Sequence, residues 1–206
     1  MIVASRHVSD PLSSDQAPVN MEATRRRLTE KQADTVDRLT RAALEVLSRE
    51  GFAGLTVRMV AAAAGVGTAT AYTYFSSKEH LVAEVFWRRL AATQPPPGDG
   101  DPTAGAIAVL RQIAMLVADE PALAGAVTSA LLGTDPDVAH LRTRIGTEIR
   151  KRLLNALGPD ADLDIVETLE LLYAGALVRA GVGYASYVEI ADRLEKSALQ
   201  VLNPTP

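Results

Sequence analysis

The residues from Thr68 to Tyr74 put hydroxyl groups at 68, 70, 72, 73 and 74, with only Ala69 and Ala71 between them. Short donors and acceptors packed this densely suit contact with phosphate oxygens and base edges, and a threonine methyl can touch the thymine methyl. Ten residues upstream, Arg58 has the forked guanidinium that pairs bidentately with guanine, and Lys78 just downstream can meet phosphate as a point charge. Nucleic-acid contact is the chemistry this grouping offers. Catalytic groupings are weaker. Gly65-Val-Gly67 and Gly181-Val-Gly183 each lack the third glycine and the preceding strand of a dinucleotide site. Asp160, Asp162 and Asp164 have calcium-loop spacing, but Ile165 stands at the required glycine and Leu171 at the closing glutamate, so they read as an acidic helix start.

Composition narrows the classes further. The chain has 206 residues, no cysteine and three histidines, which excludes thiolate metal sites, disulfide frameworks and cysteine nucleophiles. No metal and no cofactor is expected, and an enzyme is not. Without a signal-like apolar run or a stretch of about 18 apolar residues, the expectation is a soluble cytoplasmic protein with no membrane partner. Residues 22–92 carry 11 Lys+Arg against 8 Asp+Glu, whereas residues 93–206 carry 9 against 15. A basic third followed by an acidic remainder suits a chain that offers one end to a polyanion.

The elements that must position these groups are helical throughout. Proline and glycine clusters at 94–100, 119–121, 133–136 and 158–160 punctuate segments of helical period, and no stretch alternates as a strand would. An all-α protein of about nine helices is predicted. A first helix should run from a cap at Asp34 or Thr35 to Glu50, burying Val36, Leu39, Ala43 and Leu47 and leaving Arg38, Arg41 and Glu45 in solvent. Thr56 caps a short second helix, Gly65 to Gly67 turn the chain, the third ends near Phe75, and Ser76 with Glu79 has capping-box spacing for the fourth. Ala71 and Phe75, four apart, should face inward. Three helices in so few residues, the last two joined by a glycine turn, outline a helix-turn-helix.

Gly51, Thr56, Val57, Arg58, Val60, Ala61, Ala64, Gly65, Val66, Tyr72, Tyr74, Phe75, Ser77, Lys78, Glu79 and Leu81 stand at spacings that resemble the DNA-binding domain of the TetR family of one-component repressors. Gly67 departs where the family often has a capping serine, and Ala71 where it usually has a larger apolar residue. The resemblance implies DNA contacts from Thr56, Arg58, Thr68, Thr70, Tyr72, Thr73, Tyr74 and Lys78, with Gly67 at the turn of the same face. It also implies a homodimer whose last two helices pair across a two-fold axis, binding a palindromic double-stranded operator.

The expected domains are a mobile arm over 1–33, whose Arg25 to Arg27 either meet DNA or solubilise, a helix-turn-helix domain over 34–80, and a ligand-binding and dimerisation domain over 81–206. Later helices should span 102–118, 121–132, 136–157, 162–184 and 187–202. The segment 165–178 is apolar almost all round, and Tyr187, Ala191, Leu194, Ala198 and Val201 form an a/d seam. With Leu169 and Ala176 these residues are the candidate dimer interface, although an internal core would show the same pattern. Candidate walls of a ligand pocket are Phe86, Trp87, Leu90, Leu110, Ile113 and Leu116. Val127, Leu131, Ile145, Leu172, Tyr173 and Leu177 complete the set. Their lack of charge favours a small apolar effector, such as a lipid or sterol-like metabolite. The reading is therefore a ligand-responsive repressor. The alternatives are an all-helical enzyme or a small-molecule binding protein without regulatory DNA binding, and a nucleoid protein is disfavoured by the acidic second half.

Overall fold

The computed structural model describes residues 29–98 and 100–203, and the protein is all-α, with no strand among them. The order is α1 (Glu30–Gly54), α2 (Val57–Ala63), α3 (Thr68–Tyr74), α4 (Lys78–Ala92), α5 (Pro102–Ala114), a single 3-10 turn (Met115–Val117), α6 (Pro121–Leu132), α7 (Pro136–Leu157), α8 (Leu163–Gly181) and α9 (Tyr187–Leu202). The expected arm, with Arg25 to Arg27, lies outside the described residues up to 28, and its last residues are helical instead. Thr29 caps α1 in a capping box with Gln32, so the helix begins before Asp34, and Gly51 at φ 64° breaks it where a stop was predicted. Among the described residues no single helix is long and apolar enough to cross a membrane.

The first three helices pack through Val36, Leu39, Ala43 and Leu47 of α1, Val57 and Val60 of α2, and Ala71 and Phe75 at α3. The turn between α2 and α3 closes on Gly65, whose φ of 62° is one that a side chain would strain. Val66 N–H donates to the Ala61 carbonyl and Gly65 N–H to that of Ala62. Arg38, expected in solvent, reaches across from α1 and donates to the carbonyls of Ala64 at 2.6 Å and Gly65 at 3.1 Å. Its charge satisfies acceptors that the end of α2 leaves orphaned.

Next to this unit α4 and α7 lie side by side and run in the same direction. Ala83 of α4 is sealed against Val138 and Leu141 of α7. Near their C-terminal ends Arg152, 3% exposed, donates to the carbonyls of Leu90 at 2.7 Å and Thr93 at 2.9 Å, and to Glu148 at 2.8 Å. At mid-length Arg144 lies over the Trp87 ring at 4.3 Å. The pairing is therefore fixed along its whole length.

The terminal helices correct the sequence reading. Ala191, Leu194 and Ala198 of α9 and Leu169 of α8 are buried in the protomer's own core, because α9 packs against α5 and α8. Tyr187, Ala176 and Val201 are partly buried against that core. The a/d seam is thus internal. What α8 and its C-cap leave open is a different stripe, with Leu171 68%, Val178 37% and the capping Val182 58% exposed. Where α8 crosses α6 the backbones nearly touch, and a Cβ on Gly181 would sit 2.1 Å from Thr128 Oγ1. Gly181→Ala should therefore destabilise the protein by about 1–3 kcal/mol through overpacking. Thermal unfolding checks this, and an unchanged melting temperature would show that the crossing is loose.

Candidate nucleic-acid interface and cavity

The hydroxyl face forms because α3 has only Ala71 and the following Phe75 to bury. Both are essentially inaccessible, while Thr68, Thr70, Tyr72 and Thr73 are exposed, Tyr72 at 51%. Thr56 caps α2 by accepting from Met59 N–H at 3.2 Å, and Arg58 two residues on is exposed. Gly67 caps α3 without a side-chain hydrogen bond. Thr73 Oγ1 donates to the Ala69 carbonyl at 3.1 Å, which leaves it chiefly an acceptor. Two expected contacts are placed differently. Tyr74 is half-buried against the core, and Lys78 Nζ donates to the carbonyls of Phe52 at 2.9 Å and Ala53 at 3.3 Å, 4.7 Å above the Phe52 ring. Lys78 thus ties the end of α1 to the start of α4, and at most one of its three donors is left for phosphate.

Just behind this face the caps of α4 and α7 interlock. Ser77, rather than Ser76, caps α4 by accepting from His80 N–H at 2.9 Å, and its hydroxyl donates to Asp135 Oδ2 at 2.7 Å. The other oxygen of Asp135 caps α7, accepting from Asp137 N–H at 2.8 Å and Val138 N–H at 3.2 Å. Ser76 Oγ donates to Asp137 Oδ2 at 2.6 Å, and the buried His80 places Nδ1 3.2 Å from Ser76 Oγ and 3.8 Å from Asp137 Oδ2. Ser76 is turned to α7, which is why it does not serve as the cap. Sequence reasoning noted Asp135 only as loop punctuation. The Asp-Pro start of α7 signalled a cap, but nothing in the chain signalled that Ser77, 58 residues away, would share it.

Ser77 holds the Asp135 carboxyl below its ordinary range, helped by the N–H groups of Val138 and Asp137 and by His80 and opposed by desolvation. A lowered carboxyl contributes stability that is complete above about pH 4 and is lost as the pH falls through its folded value. The stability gap between the native protein and Asp135→Asn should therefore be present at about pH 5 and close on further acidification. Thermal melts across that range check this; a gap that persists at pH 2.5 would assign the joint to shape alone.

A cavity of about 420 Å³ lies between α4, α6, α7 and α8. Phe86, Val127, Leu131, Ile145, Tyr173 and Leu177 line it, all of them expected. Trp87 instead stacks beneath Arg144, Leu90, Leu110 and Ile113 are sealed in the core, and Leu116 and Leu172 pack against that core without reaching the space. The reason is that α5 faces α7 and α9, so its apolar face forms no wall. Sequence reasoning missed Thr128, Arg142, Ile149 and Glu170. Ile149 follows Ile145 by one turn and was within reach of the periodicity; the polar three were not. A more open groove of about 520 Å³ between α5 and α9 is lined by Asp101, Arg111 and Glu195 among others. There Arg111 is already paired with Asp192 at 2.6 Å and Glu195 at 3.2 Å.

A helix-turn-helix unit backed by an all-α body with its own apolar cavity is the architecture of a one-component transcriptional regulator. The model of the bacterial regulatory proteins of the tetR family matches residues 39–85. The HTH-type transcriptional regulator Rv0767c of Mycobacterium tuberculosis H37Rv is 43% identical over 190 residues, 91% of this chain and 88% of that protein. The HTH-type transcriptional repressor KstR of Rhodococcus jostii RHA1 is 28% identical over 172 residues, covering 80% of this chain and 81% of KstR. Among solved structures, a TetR regulator from Rhodococcus sp. RHA1 superposes with a TM-score of 0.71 at 22% identity, over 86% of this chain and all of that one. FadR of Bacillus subtilis in complex with stearoyl-CoA gives 0.56 at 15% identity, over 82% of this chain and 99% of that one. This chain belongs to the TetR family of transcriptional regulators.

Proposed function

We propose that this regulator is a repressor that binds a palindromic operator as a homodimer and releases it when a largely apolar effector enters the cavity of about 420 Å³. The observation that carries the reading is the interlock of the α4 and α7 caps, because it joins the DNA-facing unit to a wall of the cavity. Ile145 and Ile149 of α7 and Phe86 of α4 line that cavity, so an occupant that displaces α7 moves Asp135 and Asp137 with it. The start of α4 follows, and α3, only a few residues before it, changes its approach to the groove. An effector acts by preferring the displaced arrangement, and the shift it produces is limited by that preference.

The second copy is supplied by the exposed apolar stripe of α8, with Leu171, Val178 and Val182, and by the adjoining Tyr184 and Val188. Two recognition helices about 34–36 Å apart read two half-sites, which one copy could not hold with comparable specificity. The family relationship and the contrast between the basic and acidic parts of the chain support the DNA end of this reading. The apolar walls support the effector class, and stearoyl-CoA in the similarly folded FadR of B. subtilis is an example of such a molecule.

Arg58→Ala should cost about 1–3 kcal/mol of operator affinity and relax specificity at one position of each half-site. Lys78→Ala should weaken binding to all sequences alike and also lower the melting temperature, because it removes the tie between α1 and α4. Footprinting and gel shifts against single-base operator variants check both. Unchanged affinity in both mutants would overturn the assigned face.

A further inference from the structure

We propose that Arg142 receives the oxyanion head of an amphiphilic effector whose tail fills the cavity, so that the site takes a carboxylate or phosphate on an aliphatic chain in preference to a neutral lipid. The proposal rests on the reading that this cavity receives the effector. Arg142 lines the cavity and is exposed, and its Nη1 donates to the carbonyls of Leu131 and Gly133 at the end of α6. Leu131 and the intervening Leu132 are walls of the same cavity, so the guanidinium is tethered at its rim. The tether uses carbonyls that a helix end leaves orphaned. It leaves Nε and Nη2, which share one edge of the guanidinium and have no acceptor among the described residues. That edge is the fork that matches two oxygens of a carboxylate or phosphate.

The surroundings leave this cation reachable and without a rival. Leu132 is 63% exposed. One turn beyond Arg142 on the same face of α7, Gly146 also lines the cavity, and a Cβ there would meet open space. The cavity thus opens to solvent beside Arg142, where a charged head keeps part of its hydration while the tail is buried. Phe86, Val127, Ile145, Ile149 and Leu177 give that tail apolar walls. Glu170, the other charged wall residue, is paired with Arg150 at 2.7 Å. Arg150 stands a little over two turns of α7 beyond Arg142, about 12 Å along the helix, so the acid neither neutralises the fork nor crowds an anion held by it.

The test uses the full-length protein without DNA and probes of one chain length, decanoate, decyl phosphate, decan-1-ol and decyltrimethylammonium, followed by calorimetry and by the fluorescence of the single tryptophan, Trp87. Arg142→Gln should weaken the binding of at least one anion about five- to tenfold, and the larger loss names the head as carboxylate or phosphate. Decan-1-ol should bind the variant and the native protein alike. In the native protein, the anions alone should weaken as salt rises from about 0.01 to about 1 M, over which the screening length falls from about 30 Å to about 3 Å, and this arm depends on no variant. Anion affinity unchanged in Arg142→Gln, an equal loss for decan-1-ol, decyltrimethylammonium binding as tightly as the anions, anion binding indifferent to salt, or no binding of any probe would overturn the assignment. Decan-1-ol that binds and releases the operator while the anions ignore Arg142 would sink this assignment and keep the effector reading. An anion held through Arg142 that leaves operator binding unaltered would do the reverse.

Discussion

The side-by-side pairing of α4 with α7 is the constraint on which the rest of the molecule depends. One carboxylate, Asp135, finishes α7 with one oxygen and holds the cap residue of α4 with the other, so neither helix start can be rebuilt without the other. Hydrogen bonds to an ionised acceptor are among the stronger ones available to a protein, and Asp135 collects three. At the far end the buried Arg152 closes the pair by taking the carbonyls of Leu90 and Thr93. Two helices joined at both ends and packed tightly between, at Ala83, Val138 and Leu141, respond to a push as one body.

That rigidity matters because the DNA-facing helices have little stability of their own. Both α2 and α3 are seven residues long, well below the roughly 12–15 at which an isolated helix is even marginal in water. Their orientation is inherited from Arg38 on the intervening turn, from Ala71 and Phe75 in the core, and from Lys78 on the end of α1. Arg88 of α4 adds an ion pair to Asp37 of α1. A displacement of α4 therefore reaches the hydroxyl face through several independent contacts rather than through one.

Much of this was legible in the chain. The period of Val36, Leu39, Ala43 and Leu47 marked the buried side of α1, and the placement of Ala71 and Phe75 marked which side of α3 turns inward. Local signals of this kind succeed because helix geometry converts sequence spacing into faces. They fail where the partner is distant in sequence. The α9 seam has coiled-coil spacing, but spacing alone does not say whether the facing helix belongs to the same copy, and α5 and α8 fill that place here. Half of the expected cavity walls lie away from the cavity, three of them, Leu90, Leu110 and Ile113, as sealed core, for the same reason, since Leu110 and Ile113 are apolar whichever way α5 faces. The interlock itself was invisible, because serine and aspartate before a helix read equally well as ordinary local caps.

The chain has no cysteine, so one introduced at the exposed Ala69 of α3 provides a single spin label per copy. Electron–electron distance measurement on the proposed dimer, with the native interlock and with Asp135→Ala and Asp137→Ala combined, tests the coupling most directly. The account predicts a narrow separation near the 34–36 Å or so that operator half-sites require, and a broader or displaced distribution once the two carboxylates are gone. The same narrow distribution in both proteins would contradict it, because the position of α3 would then owe nothing to α7.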